Sequence, residues 1–161
     1  MKQRKIYSCI LLLASTGVAL MFKRNRRKQN KINDKYFIYY DLLNKWMKQK
    51  EKGVLIAEKL KQKGIKEIAI YGMGDIARHL QHELKDTDIT VKYAIDKSEL
   101  SVIDIDTYLP DSELPQVDAV VVTPVLEYVN IDTFLKQKIS CPIICIVDLI
   151  EGLGEYKGEN R

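Results

Sequence analysis

Apolar and polar positions change their rhythm several times along this chain. Residues 6–22, IYSCILLLASTGVALMF, carry no charge at all. A lysine- and arginine-rich stretch follows. Tyr36, Phe37, Tyr40, Leu43, Trp46 and Met47 then recur at helical spacing with lysine, asparagine and aspartate between them. That pattern predicts a helix from near Lys35, capped by Asp34 and ended by Gly53. A second short helix is predicted over 54–63, stopped by Gly64.

Beyond Gly64 the rhythm alternates between strand and helix. Glu67–Tyr71 reads as a strand, Asp75–Lys85 as a helix and Thr90–Ile95 as a second strand ending at Asp96. Ser101–Thr107 alternates and predicts a short third strand, and Pro110 and Pro115 bracket a loop or a single helical turn. Asp118–Thr123 is an apolar run stopped by Pro124, as central parallel strands are. A helix over 130–138 with Asn130 as its cap follows, and then a last strand over 141–147. Asp148 and Leu149 begin a turn of helix. The order βαβ…βαβ predicts an α/β fold: a small Rossmann-like parallel sheet, strand order 3-2-1-4-5, preceded by two helices and an N-terminal transmembrane helix. The expected divisions are an anchor and basic linker (1–33), a helical lead-in (34–63), the Rossmann-like domain (64–150) and a polar, flexible tail (151–161).

Charge sharpens the N-terminal reading. Residues 1–35 hold ten of the 26 basic residues against Asp34 alone, whereas the remaining 16 basic residues face 21 acidic ones. An acidic globular part argues against nucleic-acid binding, which needs lysine and arginine on the docking face. As a helix the uncharged segment spans about 26 Å, near the thickness of a bilayer core. The denser basic flank at Lys23–Lys31 predicts a single-pass cell-membrane anchor with the domain on the cytoplasmic side. A cleaved signal peptide is the alternative. The basic run reads as a solvated linker or as a contact for anionic lipid, and the aromatic stripe as packing on the domain or a partner subunit, with a membrane-surface helix as the rival.

The chemistry sits where the first strand meets its helix. Gly72-Met73-Gly74-Asp75-Ile76-Ala77 has the G-x-G-x-x-A spacing between a strand and a helix. The first glycine allows a tight turn, the second lets a ligand approach the backbone, and Ala77 lets the helix pack closely. In a 3-2-1-4-5 sheet, ligands bind beyond the strand carboxyl ends at the switch between strands one and four. Gly72–Ala77, Asp96–Lys97 and Thr123–Pro124 are therefore expected to meet there, with Tyr71, Tyr93, Glu127 and Tyr128 lining the cleft. Asp96 suits a carboxylate that accepts hydrogen bonds from ribose, or else a turn residue. Asp75 at the helix N-terminus would satisfy the helix dipole and repel a pyrophosphate. His79 and His82 are read as ordinary helix positions, and Cys141 and Cys145 as reduced thiols of a buried strand. No catalytic constellation or metal site is evident.

The blocks YYDLLNKWM, KGIKEIAIYGMGDIARHLQHEL, YAIDK, VDAVVVTP and CPIICIVDLI within Tyr36–Leu149, about 70% of the chain, resemble a bacterial family of small Rossmann-like proteins. IAIYGMG and YAIDK are the most distinctive. The resemblance implies an NAD(P)-binding-like domain associated with cell-surface polysaccharide synthesis, carried alone, with an anchor, or joined to enzymes of that process. The glycine loop is also similar to that of the N-terminal domain of sugar O-acyltransferases, which bind nucleotide-linked sugars. The acyltransferase part itself is missing. These features lead to the expectation of a binding or scaffold module for NAD(P) or a nucleotide-sugar, partnered by a membrane, a second copy or a glycan-synthesis enzyme. A small NAD(P)-dependent oxidoreductase or epimerase-like enzyme completed by dimerisation is the alternative.

Overall fold

The computed structural model describes residues 2–98 and 105–151, with side chains from Met21 onward. The chain divides into two units, Met1–Asp41 and Leu42–Arg161. Helix α1 (Lys2–Glu51) is unbroken. Asp34 therefore lies inside a helix and does not begin one. The lysines and arginines around it are good helix formers and no proline or glycine stands near, so nothing interrupts the helix before Gly53, which turns with φ 72°. Among the described residues no helix is long and apolar enough to cross a membrane. The uncharged run 6–22 falls almost wholly on residues whose side chains lie outside the described set.

In the second unit, α2 (Ile56–Gln62) leads into β1 (Glu67–Tyr71), α3 (Asp75–Leu84), β2 (Thr90–Ile95), β3 (Thr107–Tyr108), β4 (Ala119–Val122), a 3-10 turn (Val125–Glu127), α4 (Tyr128–Leu135), β5 (Ile143–Cys145) and α5 (Ile146–Glu151). The five strands form one parallel sheet ordered β3-β2-β1-β4-β5. Right-handed crossovers leaving a central β1 in opposite directions put α3 on one face and α4 on the other. The five-stranded parallel sheet with helices on both faces is the expected α/β architecture.

Three boundaries differ from the sequence reading. The third strand is Thr107–Tyr108, while 99–104, most of the segment expected to form it, lies outside the described residues. Asn130 sits within α4, which starts at Tyr128 after the 3-10 turn and has no side-chain cap. The last strand closes at Cys145 because Ile146 already begins α5, so Cys141 precedes the strand and is half-buried. The expected tail, Gly152 onward, lies outside the described residues.

Alternation along the strands fills two cores. Ala69, Tyr71, Tyr93, Ile95, Val120 and Val122 pack with Ile131 and Leu135 of α4. Ile68, Ile70, Ala94, Ala119 and Val121 point the other way and are fully buried. On that side α2 contacts both α3 and α5. Glu83 of α3 is the polar tie there. Its carboxylate, 3% exposed, accepts hydrogen bonds from the Trp46 indole (2.8 Å) and the Ile56 backbone N–H (2.8 Å), and pairs with Lys50 at 3.2 Å. The first free N–H of α2 and the only tryptophan are thus satisfied by one buried charge, which the pairing with Lys50 offsets. Lys59 works at the opposite end of the same cluster, donating to the Leu149 and Ile150 carbonyls near the α5 C-terminus. Burial lowers its pKa, and Glu83 opposes that shift.

Candidate functional site

The turn between β1 and α3 is built by its two glycines in different ways. Gly72 has φ 85°, a conformation that favours glycine. A Cβ there would fall 2.6 Å from Pro124 Cγ and 3.2 Å from Thr123 Oγ1. The loop after β4 is therefore laid directly against Gly72. Thr123 locks the contact: its buried hydroxyl donates to the carbonyls of Tyr71 (3.1 Å) and Gly72 (2.8 Å). Gly72–Ala77 and Thr123–Pro124 meet as expected.

Gly74 is the opposite case. Its φ is −76°, open to any residue, and a Cβ built on it would meet nothing within 4 Å. The fold does not require glycine here. The residue is the N-cap of α3 and makes no side-chain capping bond to the first turn. Ile76 and Ala77, by contrast, are buried, and Ala77 has no exposed surface. A larger side chain at 77 would push α3 off the sheet.

Asp96 joins the strand-two end to this loop. Its Oδ2 accepts the Met73 N–H at 2.7 Å, and its Oδ1 accepts both the Ser98 N–H (3.0 Å) and the Ser98 hydroxyl (2.9 Å). Burial disfavours its charge, but the bonds from Ser98, Met73 and the Lys97 backbone outweigh that and hold the carboxyl below its ordinary range. Both oxygens are engaged by the protein. Asp96 thus acts as a turn residue and a loop latch. Asp75 stands in the first turn of α3, as expected, and its carboxylate, 88% exposed, pairs with Arg78 one turn on at 3.4 Å.

Beside the loop, across the strand carboxyl ends, lies a cleft of about 580 Å³. Tyr71 and Lys97 come from the ends of β1 and β2, Leu109, Pro110 and Asp111 from the loop after β3, and Glu127, Asn130, Ile131 and Phe134 from the 3-10 turn and α4. Of the residues expected to bind a ligand, only Lys97 lines it. Tyr71 and Glu127 line it as expected. Tyr93 and Tyr128 do not, because their hydroxyls are spent on the carbonyls of Pro115 (2.7 Å) and Ile143 (3.2 Å). The Tyr71 hydroxyl is pushed up by burial and then by the negative charges of Asp96, Glu127 and Asp111.

The loop after β3 and the α4 face were missed in the sequence because their contribution depends on topology. The one local signal was Asn130 and Phe134, which share a helical face at i and i+4. The cleft offers an apolar wall for a planar ring, acceptors and an amide for hydroxyl groups, and one cation at Lys97. Its size falls within the usual range for small-molecule sites. Away from it, His79 packs edge-on against Trp46 at 6.5 Å between ring centres.

No protein-family model matches this chain, no curated protein matches it, and no solved structure matches it.

Proposed function

We propose that this chain is a membrane-tethered module that binds a nucleotide or nucleotide-linked sugar at the carboxyl edge of its sheet, and serves cell-surface polysaccharide assembly as a binding or docking protein and not as an enzyme. One observation carries the binding reading: Gly74 faces open space at the N-terminus of α3, at the same carboxyl edge of the sheet where Tyr71 and Lys97 line a cleft of about 580 Å³. A glycine that the fold does not need is explained if a ligand must approach the backbone there. Phosphate oxygens would approach the first turn of α3 there, with Arg78 offsetting the charge of Asp75. The base or sugar would enter the cleft against Phe134 and Ile131, within reach of Asn130, Glu127 and Lys97.

Tethering is supported by the uncharged segment 6–22 between basic flanks. The polysaccharide context is supported by the resemblance of the IAIYGMG and YAIDK blocks. The test is a thermal-shift and titration panel on the full chain in detergent micelles, with NAD, NADP, their reduced forms and several UDP- and CDP-sugars. A dissociation constant in the micromolar range, roughly −8 kcal/mol, weakened at least about tenfold by Phe134→Ala, is the expected result. Hydride exchange with a sugar nucleotide would instead favour the small-enzyme reading. No binding across the panel would remove the nucleotide from the account.

A further inference from the structure

The basic half of α1 carries a seam that no other feature explains. Between Phe22 and Leu43 the positions spaced three and four apart are Phe22, Asn25, Gln29, Ile32, Tyr36, Tyr39 and Leu43. The same stretch contains Lys23, Arg24, Arg26, Arg27, Lys28, Lys31, Asp34, Lys35 and Asp41. Not one of these nine charges falls on the seam. In so basic a helix a solvated face would be expected to take its share. Three of its apolar members are exposed, Phe22 at 65%, Tyr36 at 72% and Ile32 at 37%, with Tyr40 beside them at 67%, while Tyr39 and Leu43 are half-buried. The repeat has the 3.5-residue period of a left-handed coiled coil, and its polar members are uncharged amides of the kind that fix register at such interfaces.

We infer that this face of α1 pairs with the same face of a second copy of the chain, in a parallel, in-register coiled coil over residues 22–43. The flanking charges select both the partner and its direction. In a parallel pair, Lys28 of one helix lies beside Asn33 of the other, and Lys35 lies beside Tyr40. Neither contact sets like charges together, and the second places an ammonium beside an aromatic ring. Lys35 already sits near the Tyr39 ring of its own helix, 6.0 Å from the centroid. In an antiparallel pair Lys28 and Lys35 would face each other across the interface, which is unfavourable. Gln29 and Asn33, hydrogen-bonded at 3.4 Å along the edge of the seam, lower the strength of the pairing and favour a single alignment.

The test uses the full chain in detergent micelles. Sedimentation equilibrium is expected to show a reversible dimer, weakened at least about tenfold by Ile32→Asp combined with Tyr36→Asp and unchanged by Arg27→Asp on the far face. Orientation is read by disulfide cross-linking in a background where the native cysteines are alanine. Phe22→Cys and Tyr36→Cys, tested singly, should both give covalent dimers, and Arg27→Cys should not. Cross-linking at only one of the two seam positions would overturn the parallel arrangement. A wild-type chain monomeric at ~100 µM, or a seam double variant that dimerises as well as wild type, would overturn the pairing altogether. So would seam cysteines that resist cross-linking yet are shielded from a water-soluble maleimide by anionic vesicles, which would assign the face to lipid.

Discussion

The two glycines of one turn teach different things. On the closed side, Gly72 is held at φ 85° with Pro124 packed where a side chain would be, and Thr123 fastens the two loops together. On the open side, Gly74 has an ordinary backbone conformation and empty space in front of it. A G-x-G pattern therefore hides two requirements. The first glycine serves the fold, and the fold places no such demand on the second. Asp96 lies between them, tying Met73 to the end of β2.

Substitutions can break this contrast or sharpen it. The largest effect is expected for Gly72→Ala. A left-handed backbone costs about 1–2 kcal/mol for a non-glycine residue, and the clash with Pro124 adds about 1–3 kcal/mol. A loss of about 3 kcal/mol, roughly 10 °C in Tm, should appear in calorimetry. Little or no loss would mean that the closed side is not closed. Thr123→Val keeps the shape and removes the hydroxyl that fastens the turn, so chemical denaturation should report a loss of about 1–2 kcal/mol.

The latch is expected to show itself through pH. Because the Asp96 carboxyl is held below its ordinary range in the folded state, its contribution is complete above that range and disappears as pH falls through the folded value. Asp96→Asn should flatten acid denaturation in that window by removing the contribution at neutral pH, so that stability there falls toward the value the wild type has in acid. An unchanged acid profile would show that the Met73 contact does not couple to folding. Gly74→Ala should have the smallest effect on stability, within about 0.5 kcal/mol. The loss of a good N-cap is offset there by the smaller entropy of the unfolded chain.

Much of the scaffold was legible in the sequence. Strands β1 and β2 and helix α3 follow from local patterning, and the order 3-2-1-4-5 follows from crossover handedness. The misplaced boundaries share a cause. Cys141–Ile150 is an apolar run in which strand and helix have no contrasting period, so the change at Ile146 leaves no mark. Asp34 is a cap only if a helix begins there, and the residues before it already favour helix.

The site was legible in outline only. Spacing located the turn, but the separation of Gly72 from Gly74 depends on Pro124, fifty residues away. Likewise, the engagement of Asp96 depends on the Met73 backbone. Glu83 left no trace in the sequence because its partners, Trp46, Lys50 and the Ile56 N–H, come from other elements. The cleft was half-read: Tyr71, Lys97 and Glu127 were expected, but its far wall comes from the loop after β3 and from α4.

The most direct measurement is a calorimetric comparison of wild type with Gly74→Val, using whichever nucleotide or nucleotide-sugar binds best. The account predicts micromolar binding that is weakened at least about a hundredfold in the variant, with Tm shifted by no more than about 3 °C. Binding that survives the valine unchanged, or a variant destabilised as strongly as Gly72→Ala is expected to be, would contradict the assignment of the open glycine to a ligand.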